Sequence, residues 1–431
     1  MLHILTNDVD IETPANIPSL QEPSALIIDG HAMIQAMGKP SHCRTFADLG
    51  RTYHERIVKL FHQSFTRIDI VFDRYIGTGS IKSATRSKRG QKKRPIRKII
   101  DRGDVPLPEV WDRFIALDQN KADLAKFVAE YLISTDRNYS QSCELIVGGG
   151  FAEPEMAKST TCGPITDLAA NHEEADTRMV AHAAHTVREK YKRVVMESKD
   201  TDVLLLLIHF FGDANVDLWM KSGTSKKRVY YQIAPIVQKL SRSVRNNLLG
   251  FPAFTGCDVT SSFYGYGKRS CWKVYVEQPE LLANIGRDGS TDEAEKFLCH
   301  LYGVDNADDL LSAKSQMFEK GLRDFEKLPP TFDAFEVHHI RSNHQAKIWY
   351  QADKPRIAVE APEEMGGWKL TDSGLEIVWM RLPAIPASCT ELVTCACKSK
   401  CRTSICKCSK SRQNCIPACG CDAVNCNNDH H

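Results

Sequence analysis

Continuous apolar runs along the chain predict a sheet whose strands are buried on both faces. Three short runs rich in isoleucine and valine each lead into an aspartate: ALIIDG from Ala25, IDIVFDRY from Ile68 and RVVMESKDTD from Arg193. Such runs are typical of buried parallel strands. Between the last two runs, residues 109–133 carry apolar side chains at helical spacing, and ELIVGGG from Glu144 indicates a further strand. Strands separated by helical stretches predict an α/β sheet wound from βαβ units.

The same pattern divides the 431 residues into four parts. We expect a polar, proline-containing flexible lead (1–24), an α/β domain (25–275), a weakly patterned region (276–388) and a cysteine-rich tail (389–431). The third part predicts helices around Glu293–Tyr302 and Asp308–Phe325. Prolines then break the pattern, and GGWKLTDSGLEIVWMRLP predicts two short strands joined by a turn.

The overall composition is that of an ordinary soluble protein, with 42% hydrophobic residues, 26% charged residues and a formal net charge of +2. No stretch reaches the roughly 18 apolar residues of a membrane span. The first ten residues hold two aspartates and no basic segment ahead of an apolar run, so we expect an intracellular chain. Thiols stay reduced there, which favours metal ligation over disulfides for the ten of sixteen cysteines in the last 43 residues.

Positive charge is concentrated between the second and third apolar runs. Residues 82–102 contain ten lysines and arginines against one aspartate, a local charge of +9. Such a segment is typical of a surface that contacts phosphates. A solvated or disordered basic loop with a role in nuclear import explains the charge equally well.

Carboxylates collect where the predicted strands end. Asp29, Asp73, Asp200 and Asp202 follow strands, and Glu174 begins a predicted helix. For any single acid, the favourable helix dipole or a loop position is a sufficient explanation. Five or more carboxylates in one place repel one another unless cations neutralise them, which favours hard divalent ions such as Mg²⁺ or Mn²⁺. Two such ions about 4 Å apart can hydrolyse a phosphodiester.

In order and approximate spacing, these acids resemble the metal-binding acids of flap endonuclease-like PIN nucleases. The acids concerned are Asp29 in LIIDG, Asp73 in VFDRY, Glu174 and Asp176 in EAD, Asp200 and Asp202 in SKDTDVL, and Asp258 in TGCD. The sequence YGYGKRSCWKVY from Tyr264 is similar to the glycine-rich turn of that family's helix–two-turn–helix element, here residues 254–275. The resemblance covers residues 25–275. It implies a PIN-like sheet flanked by helices, with the seven acids as catalytic ligands of two Mg²⁺ or Mn²⁺ ions.

The resemblance also implies which residues hold nucleic acid. In the arch-like segment 82–102 these are Lys82, Arg86, Lys88 and Arg89, and in the glycine-rich turn they are Gly265, Gly267, Lys268 and Arg269. The implied activity is structure-selective cleavage of DNA. Two alternatives stay open: a catalytically inactive PIN-like protein that binds DNA or chromatin, and a nuclease whose substrate is RNA, because a two-metal site does not itself select the sugar.

The tail spaces nine cysteines as C-x-C-x3-C-x4-C-x-C-x6-C-x3-C-x-C-x4-C. They are Cys395, Cys397, Cys401, Cys406, Cys408, Cys415, Cys419, Cys421 and Cys426. Little apolar material lies between them, so the segment needs cross-links to fold. Three tetrahedral zinc ions need twelve bonds, and nine thiolates supply twelve if three of them bridge. A disulfide-rich tail and a metallothionein-like metal store are the alternatives.

The cysteine spacing is similar to that of tesmin-type CXC domains, the cysteine-rich modules of several chromatin and DNA-binding proteins. This resemblance implies a structural module with three Zn²⁺ ions that assists DNA binding, in a protein of the nucleus. Members that insert an aromatic side chain into the minor groove carry tyrosine before the central CxC, where this chain has Ile405. Base-specific contact by that route is therefore not expected.

Overall fold

An eight-stranded sheet organises the first of two units, Met1–Trp379, in a computed structural model of the chain; the second unit is Met380–His431. The structure describes residues 4–5, 14, 16–18, 22–62, 65–82, 94–134, 139, 143–223, 228–287, 290–320, 327–372, 374–382, 393–398, 401, 405–411, 413–415, 419–421 and 426–428. No helix within these ranges is both long and apolar enough to cross a membrane.

Five parallel strands form the centre of the sheet, and antiparallel strands extend both edges. In space the order is β5-β4-β3-β2-β1-β6-β7-β8. The pairs β1 with β2, β1 with β6, β2 with β3 and β6 with β7 are parallel. The strands are β1 (Ser24–Asp29), β2 (Arg67–Val71), β3 (Glu144–Gly148), β4 (Ala157–Ser159), β5 (Gly163–Pro164), β6 (Arg193–Glu197), β7 (Asp217–Gly223) and β8 (Arg228–Gln232). The predicted α/β sheet is confirmed.

Helices cover both faces of this sheet and continue beyond it. In the first part of the chain they are α1 (Gly30–Met37), α2 (Phe46–Phe61), α3 (Trp111–Phe114), α4 (Asp118–Ile133), α5 (Ala175–Arg188), α6 (Thr201–Phe211), α7 (Ile233–Gln238), α8 (Arg242–Asn247), α9 (Gly250–Thr255) and α10 (Lys268–Glu277). The later helices are α11 (Asp292–Leu301), α12 (Leu310–Glu319), α13 (Phe332–Trp349) and, in the second unit, α14 (Lys407–Lys410). Those expected within 109–133 and after Glu174 are confirmed.

Alternate residues of the central strands supply two separate cores. In β1, Ile27 packs with Met179 and Leu204 in one core, whereas Leu26 and Ile28 face the other. Successive strand side chains point to opposite faces of a sheet, so strands covered on both faces are apolar throughout. This burial explains why the strands appear in the sequence as unbroken apolar runs.

Residues 276–379 pack with the sheet in the same unit. The two helices expected there correspond to α11 and α12, and residues 321–325 of the second expectation lie outside the described residues. The expected strand pair is the antiparallel hairpin of β9 (Trp368–Thr371) and β10 (Gly374–Ile377). Helix α13, which the sequence pattern does not predict, runs for 18 residues ahead of this hairpin, between Pro330 and Pro355. Its interior sequence HHIRSNHQ is polar yet largely buried, so it lacks an apolar stripe that would reveal a helix.

Two points of the predicted lead, residues 1–24, lie against this unit. The Leu5 side chain is buried in the core that contains Ile27. The Pro18 carbonyl accepts a hydrogen bond from the Arg193 guanidinium at 2.5 Å. Backbone contacts therefore begin before Ala25, and the exact extent of the lead stays a prediction.

Candidate functional site

Three aspartates lie together at the carboxyl edge of the sheet because three neighbouring strands end there. Asp29 is the last residue of β1, Asp73 follows β2 by two residues, and Asp200 follows β6 by three. The strands are adjacent in the order β2-β1-β6, with β1 in the middle. The chain leaves β1 toward β2 and leaves the neighbouring β6 toward β7, in opposite directions along the sheet, and ligands of open α/β sheets bind at such a switch point. Gly30 is needed here, because a Cβ atom at this position would overlap the ring of Phe72.

Each of these aspartates is oriented by the beginning of a helix. Asp29 and Asp200 are the residues before α1 and α6, and Asp73 caps α5 from a different segment. The bonds join His31 N and Ala32 N to Asp29 Oδ1 (2.8 and 3.0 Å), Ala175 N to Asp73 Oδ1 (2.7 Å) and Asp202 N to Asp200 Oδ1 (2.8 Å). A capping role alone would satisfy one oxygen of each carboxylate and require no neighbouring acids.

The other four predicted acids join these three. Glu174 is the residue before α5, Asp176 and Asp202 lie in the first turns of α5 and α6, and Asp258 follows α9. Asp176 interacts electrostatically with Asp200, Asp29 and Glu174, and the ammonium of Lys82 links Glu174 to Asp258. We refer to Asp29, Asp73, Glu174, Asp176, Asp200, Asp202 and Asp258 as the carboxylate cluster.

Burial and mutual repulsion make the cluster unfavourable as a set of bare anions. Burial and the neighbouring Asp73 raise the pKa of Asp29 to about 7. Burial and Asp200 raise the pKa of Asp202 to about 7, and burial with Asp200 and Asp29 raises the pKa of Asp176 well above its ordinary value. Carboxylates shifted in this way favour a bound proton or a bound cation.

A lysine ammonium already lies within the cluster. Lys82 Nζ is 2.7 Å from Glu174 Oε2 and 3.4 Å from Asp258 Oδ2, and its side chain is 16% exposed. Burial disfavours the charged form, but the attraction of Glu174 and Asp258 raises the pKa of Lys82 above its ordinary value. The family resemblance places Lys82 in an arch that holds nucleic acid. In the structure its ammonium pairs with the acids, and contact with nucleic acid stays a prediction. Arg86, Lys88 and Arg89 lie outside the described residues.

The predicted helix–two-turn–helix segment, 254–275, consists of the end of α9, a connection and α10. Gly265 lies in the left-handed backbone region, with φ of +80°, and Gly267 is the residue before α10. A side chain at Gly265 would be strained by the backbone although it has open space. Arg269 is exposed in the first turn of α10, where it can reach a ligand.

Lys268 of this segment is turned inward. Its ammonium donates hydrogen bonds to Thr255 Oγ1 at 2.8 Å and to the Gly256 carbonyl at 2.5 Å, at the end of α9. It also interacts electrostatically with Asp202, and burial lowers its pKa. The structure therefore gives Lys268 a bond to the end of α9, while contact with nucleic acid stays a prediction.

The donor set of the cluster fits a hard divalent cation, because all seven donors are carboxylates. The carboxylates are, however, not close enough together for three of them to share one ion. Among the residues that the structure describes, the only sets of three or more histidine, cysteine or acidic ligand atoms within 4.8 Å of one another are formed by cysteines. Binding of an ion to the carboxylate cluster would therefore require small side-chain rotations.

A second buried polar network supports the sheet below the cluster and was missed in the sequence. The guanidinium of Arg67 donates two 2.7 Å hydrogen bonds to Asp69, and His182 Nδ1 lies 2.7 Å from the same carboxylate. All three side chains are almost fully buried. An aspartate at an inward position of a strand as apolar as RIDIV is the signal that could have indicated a buried ion pair.

In the second unit, cysteines form the core themselves. Seven thiols are buried, and five pairs of Sγ atoms lie 3.6–3.9 Å apart. Two thiolates bound to one tetrahedral zinc at 2.3 Å are separated by about 3.8 Å, whereas a disulfide would bring them to about 2 Å. The described thiols are thus spaced for a shared metal.

Three sets of four thiols meet a metal-ligand geometry. They are Cys395, Cys408, Cys415 and Cys419; Cys395, Cys401, Cys406 and Cys415; and Cys401, Cys415, Cys421 and Cys426. Cys415 belongs to all three sets, and Cys395 and Cys401 to two each. Cys397, a predicted ligand, is in none of them, but its thiol is within hydrogen-bonding reach of Cys395, Cys401 and Cys406.

No protein-family model and no curated protein matches this chain. Among solved structures, it is similar to the D15 protein of bacteriophage T5 co-crystallised with metal ions, at 13% identity and a TM-score of 0.36, over 76% of this chain and 91% of that one. It is also similar to the catalytic core of Rad2 in complex with a DNA substrate, at 15% identity and a TM-score of 0.37, over 79% and 82%. A third similar structure is human GEN1 in complex with Holliday junction DNA, at 13% identity and a TM-score of 0.32, over 76% of this chain and 71% of that one. At TM-scores below 0.5, function must be inferred from the residues themselves.

Proposed function

We propose that this chain is a divalent-metal-dependent nuclease that hydrolyses DNA phosphodiesters, with preference for particular DNA structures. One observation carries the proposal: seven carboxylates from five segments of the chain converge where β1, β2 and β6 end, and three of them have raised pKa values. Such a cluster has little structural use unless cations neutralise it. Mg²⁺ or Mn²⁺ fits its all-oxygen donors.

The residues of the cluster would hold the metal with little reorganisation. Asp29, Asp73 and Asp200 are oriented by helix-capping bonds before an ion binds. A bound divalent ion lowers the pKa of a water molecule and stabilises the departing oxygen of a phosphodiester. The number of ions depends on Lys82, whose ammonium already lies among the ligands.

Contacts to the DNA backbone would come from the glycine-rich turn and the basic segment. Gly265 and Gly267 leave the backbone open to close approach, and Arg269 is exposed beside them. Lysines and arginines of residues 86–102 would add phosphate contacts. These contacts do not read bases, so selectivity would follow the shape of the DNA.

The second unit would be a structural zinc module that assists DNA binding, of the tesmin-type CXC class, in a nuclear protein. Three zinc ions fit if Cys397 takes the place of Cys415 in the set with Cys395, Cys401 and Cys406. Cys395, Cys401 and Cys415 then bridge two ions each and the other six thiolates bind one, which gives the twelve bonds required. The lysines and arginines of this stretch offset its negative charge.

Cleavage of labelled flap, hairpin and single-stranded DNA with Mg²⁺ or Mn²⁺ tests the proposal, with matched RNA substrates in parallel. The Asp200→Asn, Asp202→Asn double variant should lose at least ~100-fold in rate, because neutral amides neither hold nor compensate a divalent ion. Asp112→Asn, a change to an exposed aspartate of α3, is the control and should cleave normally. Binding without cleavage in all three proteins would reject the enzyme and favour an inactive DNA- or chromatin-binding protein.

A further inference from the structure

The carboxylate cluster has two sides that differ in their cations. On the strand side, Asp29, Asp73 and Asp200 follow β1, β2 and β6, and Asp29 interacts with the other two. On the turn side are Glu174 and Asp258, which Lys82 contacts, together with Asp202, which interacts with Glu174 as well as with Asp200 of the strand side. Asp176 lies between them, since it interacts with Asp29 and Asp200 as well as with Glu174.

Two lysines interact with the turn side of the cluster, and one of them, Lys82, also attracts Asp176. Lys82 pairs with Glu174 and Asp258, and it also attracts Asp202. Lys268, whose ammonium bonds to the end of α9, also attracts Asp202. On the strand side, by contrast, the influences that raise the pKa of Asp29 are burial and the neighbouring acids Asp73 and Asp200.

Hydrogen bonds hold the backbone of Lys82 close to the residues that its ammonium contacts. The hydroxyl of Ser80, which is buried, accepts a hydrogen bond from Lys82 N at 3.1 Å and donates one to the carboxylate of Glu173. Glu173 adjoins Glu174, the closest partner of the Lys82 ammonium. The start of the basic segment is thereby tied to the start of α5, and the lysine is held at the turn side.

We propose that Lys82 fills the second cation position of the cluster, so that the protein binds one divalent ion on the strand side and a second only when Lys82 is displaced. The inference rests on the proposed function in one respect, that the cluster binds divalent ions. The physical reason is charge: an ammonium 2.7 Å from Glu174 and 3.4 Å from Asp258 already neutralises the oxygens that a second ion would use. A divalent ion placed there would also be repelled by the ammonium.

The test is the number of Mn²⁺ ions bound per chain, measured by electron paramagnetic resonance of free Mn²⁺ and by calorimetry. The full chain is used with its thiols loaded with zinc, because hard Mn²⁺ does not displace zinc from thiolates. We expect one ion per wild-type chain and two per Lys82→Met chain. Lys82→Arg, which keeps the cation, and Lys126→Met, which removes an exposed lysine of α4, should each bind one.

The outcomes separate this inference from the proposed function. Two ions in the wild-type protein, or one in both wild type and Lys82→Met, would overturn the role of Lys82 and leave a metal-binding cluster intact. No ion in the wild-type protein would overturn both. The wild-type count and the Lys82→Arg count remain decisive even if Lys82→Met fails to fold.

Discussion

The carboxylate cluster and the cysteine-rich unit are both predicted metal centres, but they differ in how nearly complete they are. The thiols already lie at the 3.6–3.9 Å spacing of ligands on a common ion, and three sets of four satisfy that geometry. The carboxylate cluster, all of whose residues the structure describes, contains no three residues whose ligand atoms lie within 4.8 Å of one another, and the Lys82 ammonium lies between two of its members.

The difference follows from where the ligands come from. Nine cysteines lie within 32 residues and have no other core to form, so the metal and the fold of this unit depend on each other. The seven acids span residues 29–258 and are carried by strands and helices that fold on their own apolar cores. The fold therefore forms in spite of the repulsion among these carboxylates, and a bound cation reduces that repulsion.

The largest expected effect is the loss of structure in the cysteine-rich unit when zinc is removed. Each structural zinc contributes on the order of 10 kcal/mol to folding of such modules. A chelator under reducing conditions should make residues 380–431 sensitive to protease while the first unit keeps its melting temperature. Resistance of the tail to protease after complete removal of zinc, measured by elemental analysis, would contradict the metal-dependent fold.

Single cysteine variants sharpen this prediction. Cys415→Ser should lose more than one zinc per chain, because Cys415 bridges two ions in the proposed arrangement, whereas Cys426→Ser should lose about one. Cys162→Ser is the control, since this thiol is exposed in the first unit and should leave the zinc content unchanged. Equal zinc loss in Cys415→Ser and Cys426→Ser would rule out Cys415 as a bridge.

A smaller effect of opposite sign is expected in the carboxylate cluster. Asp29→Asn keeps a helix cap and removes a buried charge, so the metal-free variant should be more stable than wild type by about 2 kcal/mol at pH 8. The pKa of Asp29 is raised from 3.8 to about 7, so the contribution of Asp29 to wild-type stability is greatest at low pH and is lost as the pH rises through that window. The gain should disappear near pH 4.

Denaturation with urea at pH 8 and at pH 4, with and without Mg²⁺, measures this effect. Mg²⁺ should stabilise the wild-type protein and have little effect on Asp29→Asn, because an amide is a poor ligand for the ion. A variant less stable than wild type at pH 8 without metal would show that the cluster is not under repulsion.

The buried histidine His338 gives a pH dependence of stability opposite to that of Asp29. His338 of α13 is 5% exposed and lies 2.8 Å from the Phe254 carbonyl and 3.3 Å from Ser261 Oγ, on both sides of the turn that carries Asp258. Burial lowers its pKa from 6.5 to about 4. Between these two pKa values the unfolded chain binds a proton at His338 that the folded protein does not bind. The contribution of His338 to stability is therefore fully present above about pH 6.5 and is lost as the pH falls towards 4.

His338→Gln should reduce this acid-induced loss by about 2 kcal/mol between pH 7 and pH 4, measured by chemical denaturation. His62→Gln, at an exposed position after α2, is the matched control and should leave the pH dependence unchanged. An identical pH dependence in all three proteins would mean that His338 is protonated without cost in the folded state.

The sequence predicts the parts of the fold that depend on apolar runs and local spacing. Strands β1, β2, β3 and β6 are apolar because they are buried on both faces, and the acids at their ends stand out against those runs. Helix α13 could not be found in this way, since most of its buried interior is polar and a partner such as the Phe254 carbonyl, which bonds to His338, comes from a distant segment. Hydropathy does not report such partners.

The same limit applies within the candidate site. The convergence of the seven acids is expected from their positions at strand ends and helix starts and from the resemblance to PIN nucleases. The strand order β2-β1-β6, which brings three of them together, is known only from the structure. The position of Lys82 could not be expected either, because a basic segment has the same composition whether a lysine faces phosphates or neighbouring carboxylates. Only the bond from Lys82 N to Ser80 and the pairing with Glu174 distinguish the two cases.

The smallest expected effect concerns an exposed charge near the cluster. Arg269→Ala should weaken binding of duplex DNA modestly and uniformly across sequences, and should lower the slope of log affinity against log salt by about 1, as loss of one phosphate contact requires. Its melting temperature should be unchanged, because the side chain is exposed. Arg51→Ala, an exposed arginine of α2, removes the same charge elsewhere and should leave the salt slope as in wild type. If both variants lowered the slope equally, DNA would be attracted by net charge alone; if only Arg269→Ala did, the turn before α10 would lie against the DNA backbone.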